Sequence, residues 1–245
     1  MKQGIFTIAN NFHLTDDVCL MTLKGDAGDI TKPGQFINIK LDGKYLRRPI
    51  SVCFATDNEI TIIYKIVGHG TEQMSEMAVG QELDVLTGLG NGYDVSCSGD
   101  TPLLIGGGVG VPPLYMLAKE LIDLGKKVTV ILGFNTKSEI FYEREFINLG
   151  CDVFVTTVDG SYGTKGFVTG VMENLDYSYF YTCGPEPMLK AIYKVSKTDG
   201  ELSFEERMGC GFGACMGCSC KTITGYKRIC KDGPVMKKEE ILWED

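Results

Sequence analysis

The 245-residue chain has little of what acid–base catalysis usually draws on: two histidines, His13 and His69, and a single tryptophan, Trp243. Basic residues are in the minority, 24 against 32 acidic, for a net charge of −8. A nucleic-acid-binding surface normally needs a basic face, and no cluster of Lys and Arg supplies one. No apolar run approaches the roughly 20 residues of a membrane span, and Met1-Lys2-Gln3-Gly4 opens no secretory signal. With 44% hydrophobic and 23% charged residues, the composition is neither disordered nor fibrous. These absences point to a soluble, cytoplasmic chain without nucleic-acid or membrane partners. At about 100–200 residues per domain, it should form two or three modest domains.

Two residue types are in excess. The 31 glycines gather at 88–92, 106–110 and 209–217, where a backbone must approach something closely. Of the ten cysteines, Cys210, Cys215, Cys218, Cys220 and Cys230 lie within 21 residues of one another, and the rest are scattered. A chain that is not secreted has little use for disulfides, so the cluster points to metal or redox chemistry.

The pattern along the chain changes twice. Residues 5–9, 18–23, 35–41, 50–54, 59–67 and 82–86 are short β-branched or aromatic runs separated by turn residues such as Asp57-Asn58. They predict an antiparallel six-stranded β-barrel over 1–99, interrupted by a short helix at 71–77 with Thr71 as its N-cap. From residue 100, strands at 102–105, 128–132, 153–157 and 177–182 alternate with helices at 112–124, 143–149, 167–174 and 187–196. That alternation predicts a parallel-sheet nucleotide-binding α/β domain over 100–200. A compact cysteine-rich module fills 201–245.

In that module the spacing is Cys210-x4-Cys215-x2-Cys218, then eleven residues, then Cys230. C-x4-C-x2-C followed by a distant cysteine is the plant-type arrangement for a [2Fe–2S] cluster. One loop must turn three thiolates toward two irons, and Gly209, Gly211, Gly213 and Gly217 remove the Cβ atoms that would obstruct it. Cys220 competes with Cys230 as the fourth ligand, but one residue beyond Cys218 it demands a very tight chelate, which favours Cys230. Structural zinc is the main competing reading, although its usual signature is two C-x2-C knuckles and only one is present.

Two further sites are suggested. Arg48-Pro49-Ile50-Ser51 lies on a barrel strand, offering a guanidinium to a phosphate and a hydroxyl to a flavin nitrogen. Gly70 and Thr71 open the short helix and offer backbone N–H groups to an anion. Taken alone, an arginine beside a proline is usually a surface charge. The turn Gly106-Gly107-Gly108-Val109-Gly110 follows the first α/β strand and precedes a helix, the context of dinucleotide-phosphate binding, though it departs from Gly-x-Gly-x-x-Gly. A tight turn seating a helix on a sheet would look the same. Cys183-Gly184-Pro185 ends the last strand, where ligands of open α/β sheets gather. After the second strand only Lys137 is basic and Glu139 is acidic, which favours NAD over NADP.

The order Arg-x-x-Ser, Gly-x-Gly-Thr, Gly106-Gly107-Gly108-Val109-Gly110-Val111-Pro112-Pro113 and Cys183-Gly184-Pro185-Glu186-Pro187-Met188 resembles the ferredoxin-NADP reductase-type flavoenzymes. The cysteine motif narrows the resemblance to the electron-transfer subunits of class 1B dihydroorotate dehydrogenases, over essentially the whole chain. The resemblance implies that Arg48, Pro49, Ile50 and Ser51 contact FAD, with Ser51 near the isoalloxazine and Arg48 at the pyrophosphate. It also implies that Ile63, Tyr64 and Lys65 line the flavin, that Gly70 and Thr71 hold its phosphates, and that Cys183 sits near the nicotinamide. Where relatives carry a stacking aromatic inside Arg-x-x-Ser, this chain has Pro49-Ile50, with Tyr64 the nearest substitute. Electrons from dihydroorotate would pass from an FMN-containing catalytic subunit, in a two-plus-two heterotetramer, through the cluster and FAD to NAD⁺, in pyrimidine biosynthesis. The alternatives are a subunit of an NAD(P)H-ferredoxin or sulfide-type oxidoreductase and a zinc-stabilised binding module without activity.

Overall fold

The computed structural model describes residues 1–243. Six strands close into an antiparallel barrel: β1 (Lys2–His13), β2 (Val18–Lys24), β3 (Phe36–Ile39), β4 (Arg48–Thr56), β5 (Glu59–Lys65) and β6 (Glu82–Leu89), in the spatial order β1-β2-β5-β4-β3-β6. Closure leaves no exposed edge. Alternation fills the interior with Phe6, Ile8, Met21, Leu23, Ile37, Ile39, Val52, Ile60, Ile62 and Val85. Between β5 and β6 lies helix α1 (His69–Ser75), which starts two residues earlier than the sequence predicts. Its N-cap is Gly68, and Thr71 stands one turn inside. From there the Thr71 hydroxyl accepts the N–H groups of Val67 (2.9 Å) and Gly68 (3.3 Å), supporting the turn from within rather than capping it.

The second layer is β7 (Leu103–Gly107), α2 (Pro113–Asp123), β8 (Thr129–Phe134), α3 (Glu143–Leu149), β9 (Asp152–Thr157), β10 (Thr164–Lys165), α4 (Val168–Met172), β11 (Phe180–Cys183), α5 (Glu186–Val195) and β12 (Gly200–Ser203). Pro112 and Pro113 sit at the start of α2, where a missing N–H is harmless. The sheet runs β10-β9-β8-β7-β11-β12-β15, the last being Val235–Lys237. The chain travels outward from β7 through β8 and β9, then returns to β11 on the other side of β7. The reversal puts the crevice of this open sheet beside the ends of β7 and β11, where Gly106 and Cys183 face each other in register.

The cysteine-rich segment leaves this sheet and comes back to it. Residues 204–234 form an excursion between β12 and β15, which pair antiparallel, and the excursion holds a hairpin of β13 (Ser219–Thr222) and β14 (Gly225–Arg228). The sheet therefore extends past residue 200, where the sequence pattern stops alternating. Ile229, Cys218 and Cys230 are buried in the same core as Leu202, Met236 and the barrel residues Phe36, Leu86 and Leu89. Asn91, just after the barrel, clamps the returning strand: its Nδ2 donates to the Val235 carbonyl at 2.7 Å and its Oδ1 accepts the Val235 N–H at 3.1 Å.

Candidate cofactor cleft and thiol loop

A cleft of about 1490 Å³ runs between the barrel wall, the sheet's switch point and the flank of the cysteine-rich excursion. Pockets for one drug-sized ligand hold about 300–1,000 Å³, so this cleft has room for two nucleotide-sized groups end to end. It brings together Arg48, Pro49, Ile50, Ser51, Ile63, Tyr64, Lys65 and Thr71 with Gly107, Gly108, Gly110, Cys183, Gly184 and Pro185. Gly70 and Gly106 do not line it but directly precede lining residues Thr71 and Gly107.

On the barrel side, β4 pairs with β3 so that Ser51 faces Phe36 and Pro49 faces Asn38. The Arg48 guanidinium lies across the start of α1, and a Cβ on Gly70 would stand 2.1 Å from its Nε. Only glycine lets a charged fork and a helix start share that spot, and both favour an anion. Tyr64 is not a stacking platform. Although it borders the cleft, its ring is 2% exposed within the barrel core, and its hydroxyl donates to Asn11 Oδ1 at 3.1 Å. Lys65 borders the cleft with its ammonium tied to Asp17 at 2.9 Å.

On the sheet side the glycine turn divides its work. A Cβ on Gly110 would stand 2.2 Å from the Cys183 carbonyl oxygen, and one on Gly106 would stand 2.9 Å from Val111 Cα. These two glycines let β7, β11 and α2 close on one another. Gly108, at φ +51°, has open space where its Cβ would be and borders the cleft. Burial pushes the Cys183 thiol up to about 12, against a hydrogen bond with Ser203, so it is an uncharged thiol at neutral pH.

The thiol loop wraps its first sulfur. Cys210 Sγ accepts the N–H groups of Ala214 (3.2 Å) and Cys215 (3.4 Å), and Cys215 Sγ accepts that of Gly217 (3.4 Å). Burial pushes the Cys210 thiol up, but the N–H groups of Phe212, Cys215 and Ala214 outweigh it and hold the thiol at about 6. Cys218 Sγ accepts the Cys230 N–H at 3.4 Å. Burial, followed by sharing with Cys218, raises the Cys230 thiol to about 12. The sulfurs thus stand two by two, Cys210 with Cys215 and Cys218 with Cys230. Among the described residues, no three His, Cys, Asp or Glu side chains gather about one point as a single metal ion would need. Two pairs suit two irons, each taking two thiolates, better than one tetrahedral zinc, and the N–H groups aimed at sulfur suit a charged cluster. The Cys220 thiol touches Met236 Sδ at 4.0 Å and borders the cleft.

Sequence reasoning missed part of the cleft wall. Phe204, Glu205, Glu206, Arg207 and Met208 border it between β12 and the first cysteine, a stretch with no periodicity. Trp243 meets Tyr193 (5.0 Å between ring centroids) and Phe204 (5.7 Å), and also borders the cleft.

A barrel beside a doubly wound sheet with a cleft between them defines a reductase fold. A solved NADH-dependent reduced ferredoxin-NADP oxidoreductase, reported for flavin-based electron bifurcation, is similar at TM-score 0.88 and 29% identity, covering 98% of this chain and 90% of its own. The family model for the oxidoreductase NAD-binding domain matches residues 104–194. The model for the iron–sulfur cluster binding domain of dihydroorotate dehydrogenase B matches 205–242. Proteins described as dihydroorotate dehydrogenase B (NAD(+)), electron transfer subunit, are 48% identical in Bacillus pumilus (98% of each chain) and 46% in Fusobacterium nucleatum (98% of this chain, 99% of the relative). The chain belongs to the family of dihydroorotate dehydrogenase B electron-transfer subunits. It is an oxidoreductase subunit. Among the described residues, no helix is long and apolar enough to cross a membrane.

Proposed function

We propose that this chain connects NAD(H) to an FMN-containing dihydroorotate dehydrogenase subunit, in a cytoplasmic heterotetramer of two plus two chains. Its barrel (1–99) serves FAD, its α/β segment (100–200) NAD(H), and its tail (201–245) a [2Fe–2S] cluster. When bound, FAD converts between the hydride exchanged with NAD(H) and the single electrons exchanged with the cluster. The observation that carries this reading is the continuous cleft, which joins the Arg48–Ser51 strand to the Cys183 switch point and is flanked by the thiol segment.

The residues divide the work. Arg48, Gly70 and Thr71 hold the flavin's phosphates, and Pro49, Ile50, Ile63, Tyr64 and Lys65 shape the wall behind it. Ser51 offers its hydroxyl to the isoalloxazine. Gly106, Gly107, Gly108, Gly110, Gly184 and Pro185 form the nicotinamide-nucleotide bed, and Cys183 presents a neutral thiol that fills space beside the nicotinamide without competing as a nucleophile. Hydride transfer asks for positioning more than for a protein base, so two exposed histidines are no handicap. Cys210, Cys215, Cys218 and Cys230 hold the irons.

A visible spectrum with iron and flavin quantitation on the natively purified complex tests the reading. One FAD and two irons per chain, with a co-purifying FMN protein that oxidises dihydroorotate, is the expected result. A colourless, zinc-bearing chain would overturn it. Arg48→Ala should purify with depleted FAD, and an unchanged flavin content would remove Arg48 from the phosphate site.

A further inference from the structure

The four cysteines come from two pieces of chain, 210–218 and the turn that ends β14. Arg228 joins the pieces. Its Nε donates to Asp232 Oδ2 at 2.9 Å and its Nη2 to Asp232 Oδ1 at 3.1 Å, a two-point grip. Its Nη1 reaches across to the carbonyl of Gly213, between Cys210 and Cys215, at 2.9 Å. Asp232 also accepts the backbone N–H of Arg228 at 2.9 Å, and its own N–H returns to the Arg228 carbonyl at 2.7 Å, so the turn presenting Cys230 is closed on itself. Contact between the pieces is close. Gly213 has φ +92°, and a Cβ there would stand 2.5 Å from the Lys231 side chain. Arg228 and Asp232 are only 25% and 32% exposed. A planar guanidinium can grip a carboxylate and reach a carbonyl at once, whereas an ammonium is a single point.

We infer that Arg228 is a positioning residue for the [2Fe–2S] centre, clasping the Cys210–Cys215 half of the site to the Cys218–Cys230 half and setting a positive charge among the ligands. The inference rests on the four-cysteine ligand set proposed above. Reduction adds negative charge to a cluster, so a cation nearby favours the reduced state and an anion opposes it. The two members of the pair should therefore pull the reduction potential in opposite directions, which a merely structural brace would not do.

The test uses the full-length protein carrying flavin and cluster, prepared anaerobically, with iron release to a chelator and an EPR-monitored redox titration as readouts. Arg228→Met should release iron several-fold faster and titrate at a lower potential. Arg228→Lys should keep the potential close to the parent's while still releasing iron faster, because its charge remains but its span does not. Asp232→Asn should titrate at a higher potential. Flavin content and NADH oxidation by an artificial acceptor check that each variant has folded; should Arg228→Met fail that check, Arg228→Lys and Asp232→Asn carry the test. Parent-like iron release in the Arg228 variants, or potentials that fail to move in opposite directions on removing the two charges, would overturn the inference. A parent protein without cluster iron would instead break the ligand assignment beneath it.

Discussion

The side-chain amide of Asn38, on barrel strand β3, donates a hydrogen bond to the main-chain carbonyl of Cys210 at 3.3 Å. Asn38 also faces Pro49 across the β3–β4 ladder, so a single residue links the strand assigned to the flavin with the first cysteine of the thiol loop. The loop is seated directly on it: Gly211 has φ +78°, and a Cβ there would stand 2.2 Å from Asn38 Nδ2. Asn38 is 1% exposed and its Oδ1 has no partner. An orphaned buried acceptor costs about 1–3 kcal/mol, so what this asparagine contributes is alignment rather than stability.

Asn38→Ala removes that orphan together with the hydrogen bond, and the two effects offset each other to within about 1 kcal/mol. Denaturant unfolding should therefore change little. Cluster reduction by NADH should slow, while NADH oxidation by an artificial acceptor is retained. Equal loss of both activities would show that Asn38 serves the flavin site as a whole rather than the link to the thiol loop.

Gly110 and Gly108 look equivalent in the sequence and should not behave alike. Alanine at 110 drives a methyl into the Cys183 carbonyl at 2.2 Å, a clash with backbone that cannot rotate away. Destabilisation of about 1–3 kcal/mol is expected, with loss of NADH turnover. Alanine at 108 meets open space but sits at φ +51° on the cleft wall. It should cost about 1–2 kcal/mol through backbone strain and raise the KM for NADH. Thermal melts and KM measurements separate the two, and a Gly110→Ala protein that melts like the parent would remove the close-approach argument.

The difference between these glycines shows how far the sequence could be read. The turn's place between a strand and a helix is local and was legible, as were the six β-branched runs of the barrel and the cysteine spacing. Which glycine meets a backbone and which meets open space depends on β11, some 75 residues away, and leaves no local trace. Strands β12 and β15, four and three residues long, are too short to show a period, so the tail reads as separate although its ends belong to the sheet. Thr71 carries a capping residue's chemistry one turn inside the helix. Tyr64 offers an aromatic ring at the expected position, but strand alternation turns it into the barrel. Asn38 and Arg228 belong to no motif, because their importance lies in what they join.

Glu201 lies on β12 with 3% exposure, and burial raises its carboxyl from an ordinary 4.5 to about 7. The Asp94 N–H at 3.0 Å opposes the rise, the Asp94 carboxylate adds to it, and Lys237 and Lys32 lower it. Because the folded value is the higher one, the stabilising contribution is fully present below about 4.5, declines as pH rises, and is gone above about 7. Glu201→Gln keeps an acceptor for Asp94 but no longer titrates. Relative to the parent it should gain stability between pH 5.5 and 8, by up to about 3 kcal/mol at the upper end. Urea unfolding at the two pH values measures this, and a gain that does not grow with pH would show that Glu201 is already ionised without penalty.

Cys215 and Cys220 give the sharpest separation between cluster chemistry and packing. Cys215 accepts N–H groups within the thiol loop and pairs with Cys210, whereas Cys220 rests against Met236 on the cleft wall. Cys215→Ser should strip the cluster absorbance and stop transfer to the proposed dihydroorotate-oxidising partner, yet leave NADH oxidation by artificial acceptors largely intact, because Arg48, Ser51 and Cys183 are untouched. Cys220→Ser should keep both irons. Iron quantitation, visible spectra and the two activities measured side by side decide the matter. Iron loss in Cys220→Ser with iron retained in Cys230→Ser would transfer the fourth ligand position to Cys220, and equal loss of both activities in Cys215→Ser would end the division between a nicotinamide–flavin cleft and a separate one-electron outlet.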